Sequence, residues 1–301
     1  MPNYHDARRA GGVRGARTRL ALRIAAAAGM ALMLTAGRDN PQAHQQYVAP
    51  GGERLDLSGY TLAFEDRFTD LSIGAKPGSG KRWYNHTPWG GDFGDAAFAA
   101  PGPNGPFSKG PQGLNITARR GADGRWSSGL ISSRDRDGPQ GQGFALKYGY
   151  FEISAKLPAG MGTWPAFWLI GVDKTEAAPE IDVVEYYGGF PGYYHCVAHL
   201  WRHGSDELNR DFIVKVPKDS LTDRFNTFGV LIQPRTTTFF LNRQKVAAID
   251  TPPEYRQPFY ILANLAMGSG WPTKDLPPTR VMQIAYIRAY KAPPQALAEA
   301  D

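Results

Sequence analysis

The chain has 301 residues, 42% of them apolar, with 35 glycines, 24 prolines and a single cysteine, Cys196. That length supports one large core with tails, shows no composition break between two comparable domains, and with one cysteine excludes an internal disulfide. The net charge of +6 is concentrated at the start: residues 1–43 carry +5 and everything after Ala43 only +1, which removes the main support for nucleic-acid binding.

In chain order, a basic stretch from Arg8 to Arg23 runs into about a dozen apolar residues, Ile24 to Thr35. This run is too short to span a bilayer comfortably and reads as a signal peptide within residues 1–43, with an uncleaved anchor as the alternative. The expected location is therefore secreted or periplasmic, with no stable membrane insertion of the mature domain. Residues 44–60 read as a linker, 61–291 as the functional domain and 292–301 as a short tail. From Leu62 onward, short clusters of Phe, Tyr, Val, Ile and Trp are separated by Gly, Pro, Asn and Asp, which is strand-and-turn punctuation. Segments such as Gly113–Arg119, Tyr150–Lys156, Phe228–Ile232, Thr238–Leu241 and Ile284–Tyr290 alternate or run apolar as strands do. No amphipathic helix of three turns is visible after residue 44. So many strands predict an all-β, jelly-roll-like sandwich, because a single sheet would leave edges and one apolar face exposed. Thr87–Pro111 and Trp201–Arg210 have too little strand pattern for a sheet and read as loops. The aromatics Trp89, Phe93, Phe98 and Phe107 mark the first as packed.

The strand around Pro179–Tyr187 places Glu180, Asp182 and Glu185 among apolar, β-branched residues. Carboxylates aimed at an interior or a dry groove must be hydrogen-bonded, protonated or functional. Alternation puts Glu180 and Asp182 on one face and Glu185 on the other, so a one-residue β-bulge between Asp182 and Glu185 is required to bring all three together. Three acids on one face suit glycoside hydrolysis with retention, in which two carboxyls about 5 to 5.5 Å apart attack the anomeric carbon and protonate the leaving oxygen. A third acid can then tune the nucleophile. From the triplet alone, a solvated strand face or an oxygen-ligand calcium site is equally compatible.

Just upstream, Trp164, Phe167 and Trp168 cluster on an expected strand. Sugar C–H faces bury well against flat rings, so Trp164 and Trp168 are candidate substrate platforms, although core packing is the commoner fate and alternation sends at least one of the three inward. Trp89, His199, Trp201, Asn264 and Trp271 are further candidates for the same cleft. Cys196 reads as a small buried hydrophobe.

With these segments in order, the chain resembles glycoside hydrolase family 16. The resemblance rests on Phe64–Phe68, Gly149–Pro158, Thr163–Trp168, Glu180-Ile-Asp-Val-Val-Glu185, Asn264–Met267 and Tyr286–Tyr290, and covers roughly Leu62 to Tyr290. It implies a concanavalin-like β-jelly roll of two antiparallel sheets with a concave groove. It also implies endo-hydrolysis of a β-linked polysaccharide with retained configuration, Glu180 as nucleophile, Asp182 as its assistant and Glu185 as acid/base. The bulged spacing resembles the laminarinase-like branch and leans towards β-1,3 linkages, with a bacterial exopolysaccharide open. Where many members place an acidic calcium ligand in the last strand, this chain has Ala285, so no cofactor is expected and a structural calcium stays open. A monomer is expected. The rival readings are a lectin-like sandwich without turnover and a transglycosylase using the same site.

Overall fold

The computed structural model describes residues 44–75, 78–135 and 142–298, so the export segment read over 1–43 lies outside the described residues. Two ten-stranded sheets pack face to face. One, which carries the acidic strand, runs in the order His44–Val48, Arg210–Lys215, Tyr193–Arg202, Ala178–Glu185, Thr163–Gly171, Phe259–Met267, Leu130–Ser132, Trp83–Tyr84 and Ile73–Gly74, with Ser205–Asp206 added on Tyr193–Arg202. The other runs Gln244–Asp250, Thr236–Leu241, Asn226–Ile232, Gly149–Lys156, Thr279–Lys291, Gly113–Arg120, Trp126–Ser128 and Ala96–Phe98, with Thr61–Asp66 added on Thr279–Lys291 and Phe107–Gly110 on Gly113–Arg120. Among the described residues the helices are single turns, Ser220–Asp223 and Gln295–Ala298, with one 3-10 turn, Pro253–Tyr255.

The expected all-β jelly roll is present, with three differences. The sheets are mixed, because His44–Val48 pairs parallel with Arg210–Lys215, Ile73–Gly74 with Trp83–Tyr84 and Ala96–Phe98 with Trp126–Ser128. Residues 44–60, expected as a linker, begin with an edge strand of the acidic sheet. The two segments expected as loops contribute strands: Ala96–Phe98 and Phe107–Gly110 in the first, and the hairpin that pairs Trp201 with Asp206 in the second. These strands are two to four residues long and owe their pairing to partners distant in sequence, which local periodicity does not report.

The core follows from the period of two. On Thr163–Gly171, Phe167 and Leu169 point between the sheets while Trp164, Ala166, Trp168 and Ile170 face outward onto the groove side. Phe151, Ile153 and Ala155 meet the inward set from the other sheet. Truncating Phe167 in such packing would cost about 3–5 kcal/mol. Cys196 is buried in the same core, its thiol 3.3 Å from the Val183 carbonyl.

Candidate active site

The acidic strand is bulged where its spacing demands it. In the ladder with Thr163–Gly171, Val184 faces Phe167 but Asp182 faces Trp168, so Val183 is the extra residue. Both valines belong to the core between the sheets, and burying two adjacent apolar side chains on one side is what turns Glu185 back onto the face of Glu180 and Asp182. Opposite them on Tyr193–Arg202 stand His199, Val197 and His195, the partners of Glu180, Asp182 and Glu185 respectively.

Each glutamate receives an indole N–H. Trp201 Nε1 donates to Glu180 Oε2 at 2.6 Å, and Trp164 Nε1 donates to Glu185 Oε1 at 2.8 Å. His199 bridges two aspartates, with Nε2 at 3.1 Å from Asp182 Oδ2 and Nδ1 at 2.6 Å from Asp206 Oδ2. Asp206 also accepts the Leu200 N–H at 2.9 Å. Burial opposes charge on His199, but the two aspartates outweigh it and hold the imidazole well above its ordinary range, so the ring is cationic near neutral pH. Asp206 is resisted by burial yet held below the usual carboxylate range by His199 and its backbone donors.

Burial, then the neighbouring Asp182 charge, push both glutamates upward, Glu180 to about 8 and Glu185 to about 7. Three carboxylates this close cannot all ionise at neutral pH, so the glutamates titrate as a pair that retains a proton. The push is larger on Glu180, the reverse of the order required for attack by that residue.

The aromatic candidates divide by burial. Trp164 and Trp168 are only 7% and 3% exposed, because the 87–98 loop lies across them. Phe93 packs on Trp164 and Trp168 at ring distances of 5.4 and 6.1 Å, and Trp89 lies 5.9 Å from Trp168. Gly94, at φ +68°, permits this approach: a Cβ there would sit 2.4 Å from the Met267 carbonyl, which instead accepts the Asp95 N–H at 2.7 Å. Trp89, 43% exposed, presents ring surface to solvent. Trp271 pairs edge-on with Phe190 at 4.9 Å, and Trp201 stacks on His199 at 5.0 Å. Asn264, expected as a substrate contact, is fully buried, and its Oδ1 accepts the Trp168 indole N–H at 2.8 Å. Its oxygen therefore orients Trp168, while its Nδ2 has no hydrogen-bond partner among the described residues. Asp206, His195 and Asp211 belong to the site but carried no local signal, since each acts through a partner on another strand or across a hairpin; Tyr187 lies two residues beyond Glu185 and meets His195 on the next strand. Ala285 presents a methyl group, which cannot coordinate calcium, and among the described residues no group of three or more His, Cys, Asp or Glu is disposed around a metal position.

Comparison with known proteins places this geometry. The chain is 28% identical over 274 residues to the endo-1,3-1,4-beta-glycanase EglC of Rhizobium meliloti (strain 1021), covering 83% of this chain and 56% of that protein. It is 29% identical over 275 residues to the endo-1,3-1,4-beta-glycanase ExsH of the same strain, covering 84% of this chain and 55% of that protein. The chain thus spans little more than half the length of these relatives. In fold it is similar to the laminarinase catalytic domain from Thermotoga maritima MSB8, with a TM-score of 0.60 at 21% identity over 77% of this chain and 98% of that one. The family model for glycosyl hydrolases family 16 matches residues 104–288, a span that contains the bulged acidic strand and most of both sheets, and the chain belongs to that family.

Proposed function

We propose that this protein is a retaining endo-glycoside hydrolase acting on a β-linked polysaccharide, with Glu180 as nucleophile, Asp182 as its assistant and Glu185 as acid/base. The observation that carries the reading is the bulge, which collects three carboxylates on one groove face under two indole donors. In the first step the Glu180 carboxylate attacks the anomeric carbon while Glu185 passes its proton to the glycosidic oxygen, which departs as a hydroxyl. In the second, Glu185 takes a proton from water, the water oxygen attacks the same carbon, and the ester to Glu180 breaks. Asp182 is tied to cationic His199, which offsets the negative charge that Asp182 places beside the nucleophile. Trp89, Trp201 and Trp271 provide ring faces along the groove, while Trp164 and Trp168 form its walled floor.

The names of the two Rhizobium relatives, endo-1,3-1,4-beta-glycanases, support a polysaccharide with β-1,3 and β-1,4 linkages, and a β-glucan or a bacterial exopolysaccharide of such units fits the same groove. This reading puts the mature domain outside the cytoplasm, where such polymers lie. Among the described residues no helix is long and apolar enough to cross a membrane. The test is reducing-end release from laminarin, mixed-linkage glucan, galactans and bacterial exopolysaccharides, with Glu180→Ala as control. Cleavage of a β-glucan or an exopolysaccharide by the wild type alone is the expected result. Binding without cleavage across the panel would replace the enzyme with a lectin-like sandwich.

A further inference from the structure

The two reactive glutamates stand in matching surroundings, and half of those surroundings have no part in the reaction as written. On the Glu180 side are the Trp201 N–H and the His199–Asp206 couple. On the Glu185 side are the Trp164 N–H and a second couple, His195 with Asp211. His195 is the ladder partner of Glu185, so both side chains leave the same face of the sheet. Its Nδ1 lies 2.9 and 3.1 Å from the two oxygens of Asp211, on the next strand. Behind Asp211, the edge strand His44–Val48 contributes Gln45, whose amide donates to Asp211 Oδ2 at 3.0 Å. The Tyr187 ring meets His195 edge-on at 5.3 Å, and its hydroxyl favours the charged form of Glu185.

We propose that His195, gripped by Asp211, is a positioning residue for Glu185: it sets a positive charge beside the proton-donating carboxyl and, with Tyr187, holds that carboxyl in place. The inference rests on Glu185 being the acid/base. A buried ion pair is a weak source of stability, because removal from water offsets most of its attraction. Placed beside a reacting carboxyl, it acts instead on that carboxyl's proton. His195 is faced by Asp211 from one neighbouring strand, by Glu185 and Tyr187 from the other, and by His199 along its own strand. Glu185 is faced by Asp182, Glu180, His195, His199, Tyr187 and the Trp164 N–H. Burial opposes charge on His195, and Asp211 with Glu185 raises its pKa in spite of that.

The discriminating variant is Asp211→Asn, which can still accept from Nδ1 but lacks the charge that keeps the imidazole protonated. Loss of the imidazolium disfavours the Glu185 carboxylate, so the basic limb of the kcat/KM profile on polysaccharide should move up by about one pH unit. Simple removal of a nearby negative charge would move it down. Activity on polysaccharide should fall about tenfold, while an aryl β-glycoside with a good leaving group should change by about twofold or less, because it needs little proton donation. His195→Gln should behave alike and serves if Asp211→Asn does not reach the wild-type Tm. A basic limb that stays or moves down, or equal losses on both substrates, would overturn the inference. If instead Glu185→Ala itself loses both substrates equally, the acid/base assignment fails and not merely its support.

Discussion

Glu152 and Glu180 are both glutamates on strands flanked by apolar residues, one in each sheet, the first buried and the second half-buried, and the molecule treats them in opposite ways. Glu152 is fully buried and held by two Arg243 nitrogens at 2.8 and 3.0 Å, with Arg288 at 3.9 Å. Glu180 and Glu185 are half-buried, yet among the described residues neither forms an ion pair with Arg or Lys. Each has an indole N–H and a histidine whose charge is already committed to an aspartate. A carboxylate neutralised by a two-pronged guanidinium is a piece of scaffold. One left beside other carboxylates in a groove is held in a state that only a substrate relieves.

Four experiments test that contrast, in descending order of effect. Glu180→Ala should lower kcat on polysaccharide by about 10⁴-fold or more, as loss of a nucleophile does, while its far-ultraviolet circular dichroism stays that of the wild type. Substantial turnover by the mutant would remove Glu180 from the reaction. Glu152→Ala should do the converse. Stranding Arg243 should cost about 3–5 kcal/mol, a fall in Tm of roughly 10 °C, with kcat per folded molecule unchanged. A stable variant of low activity would refute the division between scaffold and site.

The third experiment uses pH. The raised pKa of Glu180 means that the folded protein holds a proton the unfolded chain has lost. This contribution to stability is fully present below the ordinary value of 4.5 and is lost as pH rises through about 8. Glu180→Gln escapes that loss. Its Tm should exceed that of the wild type most at pH 8 and above, and the gap should shrink towards pH 4.5. A gap that widens on acidification would reverse the sign and contradict the electrostatic picture. Last, Trp89→Ala should raise KM about threefold to tenfold with kcat nearly unchanged, the loss of one stacking face of about 0.5–1.5 kcal/mol. An equal fall in kcat would instead assign the ring to the support of Trp168, which it touches.

What the sequence revealed of this arrangement, and what it hid, has a physical pattern. The bulge was legible because the odd offset between Asp182 and Glu185 conflicts with a period of two, and Val183-Val184 is the apolar pair that resolves it. The inward turn of Phe167 between Trp164 and Trp168 was legible for the same reason. The 201–210 hairpin was not, because Ser205–Asp206 is a strand only through its pairing with Trp201 and Arg202. With that hairpin went Asp206, which reaches His199 across the turn, and with the edge strand His44–Val48 went Gln45. Asn264 was read as a cleft residue from its aromatic context, but its full burial and the bond from Trp168 to its Oδ1 depend on a neighbouring strand and carried no local signal.

The most direct measurement is peptide mapping by mass spectrometry after inactivation with a 2-deoxy-2-fluoro glycoside of the sugar that the substrate panel identifies. The expected product is a stable glycosyl ester on Glu180, with Glu152 and Glu185 unlabelled. An ester on Glu185 instead, in an enzyme that the reagent inactivates stoichiometrically, would contradict it.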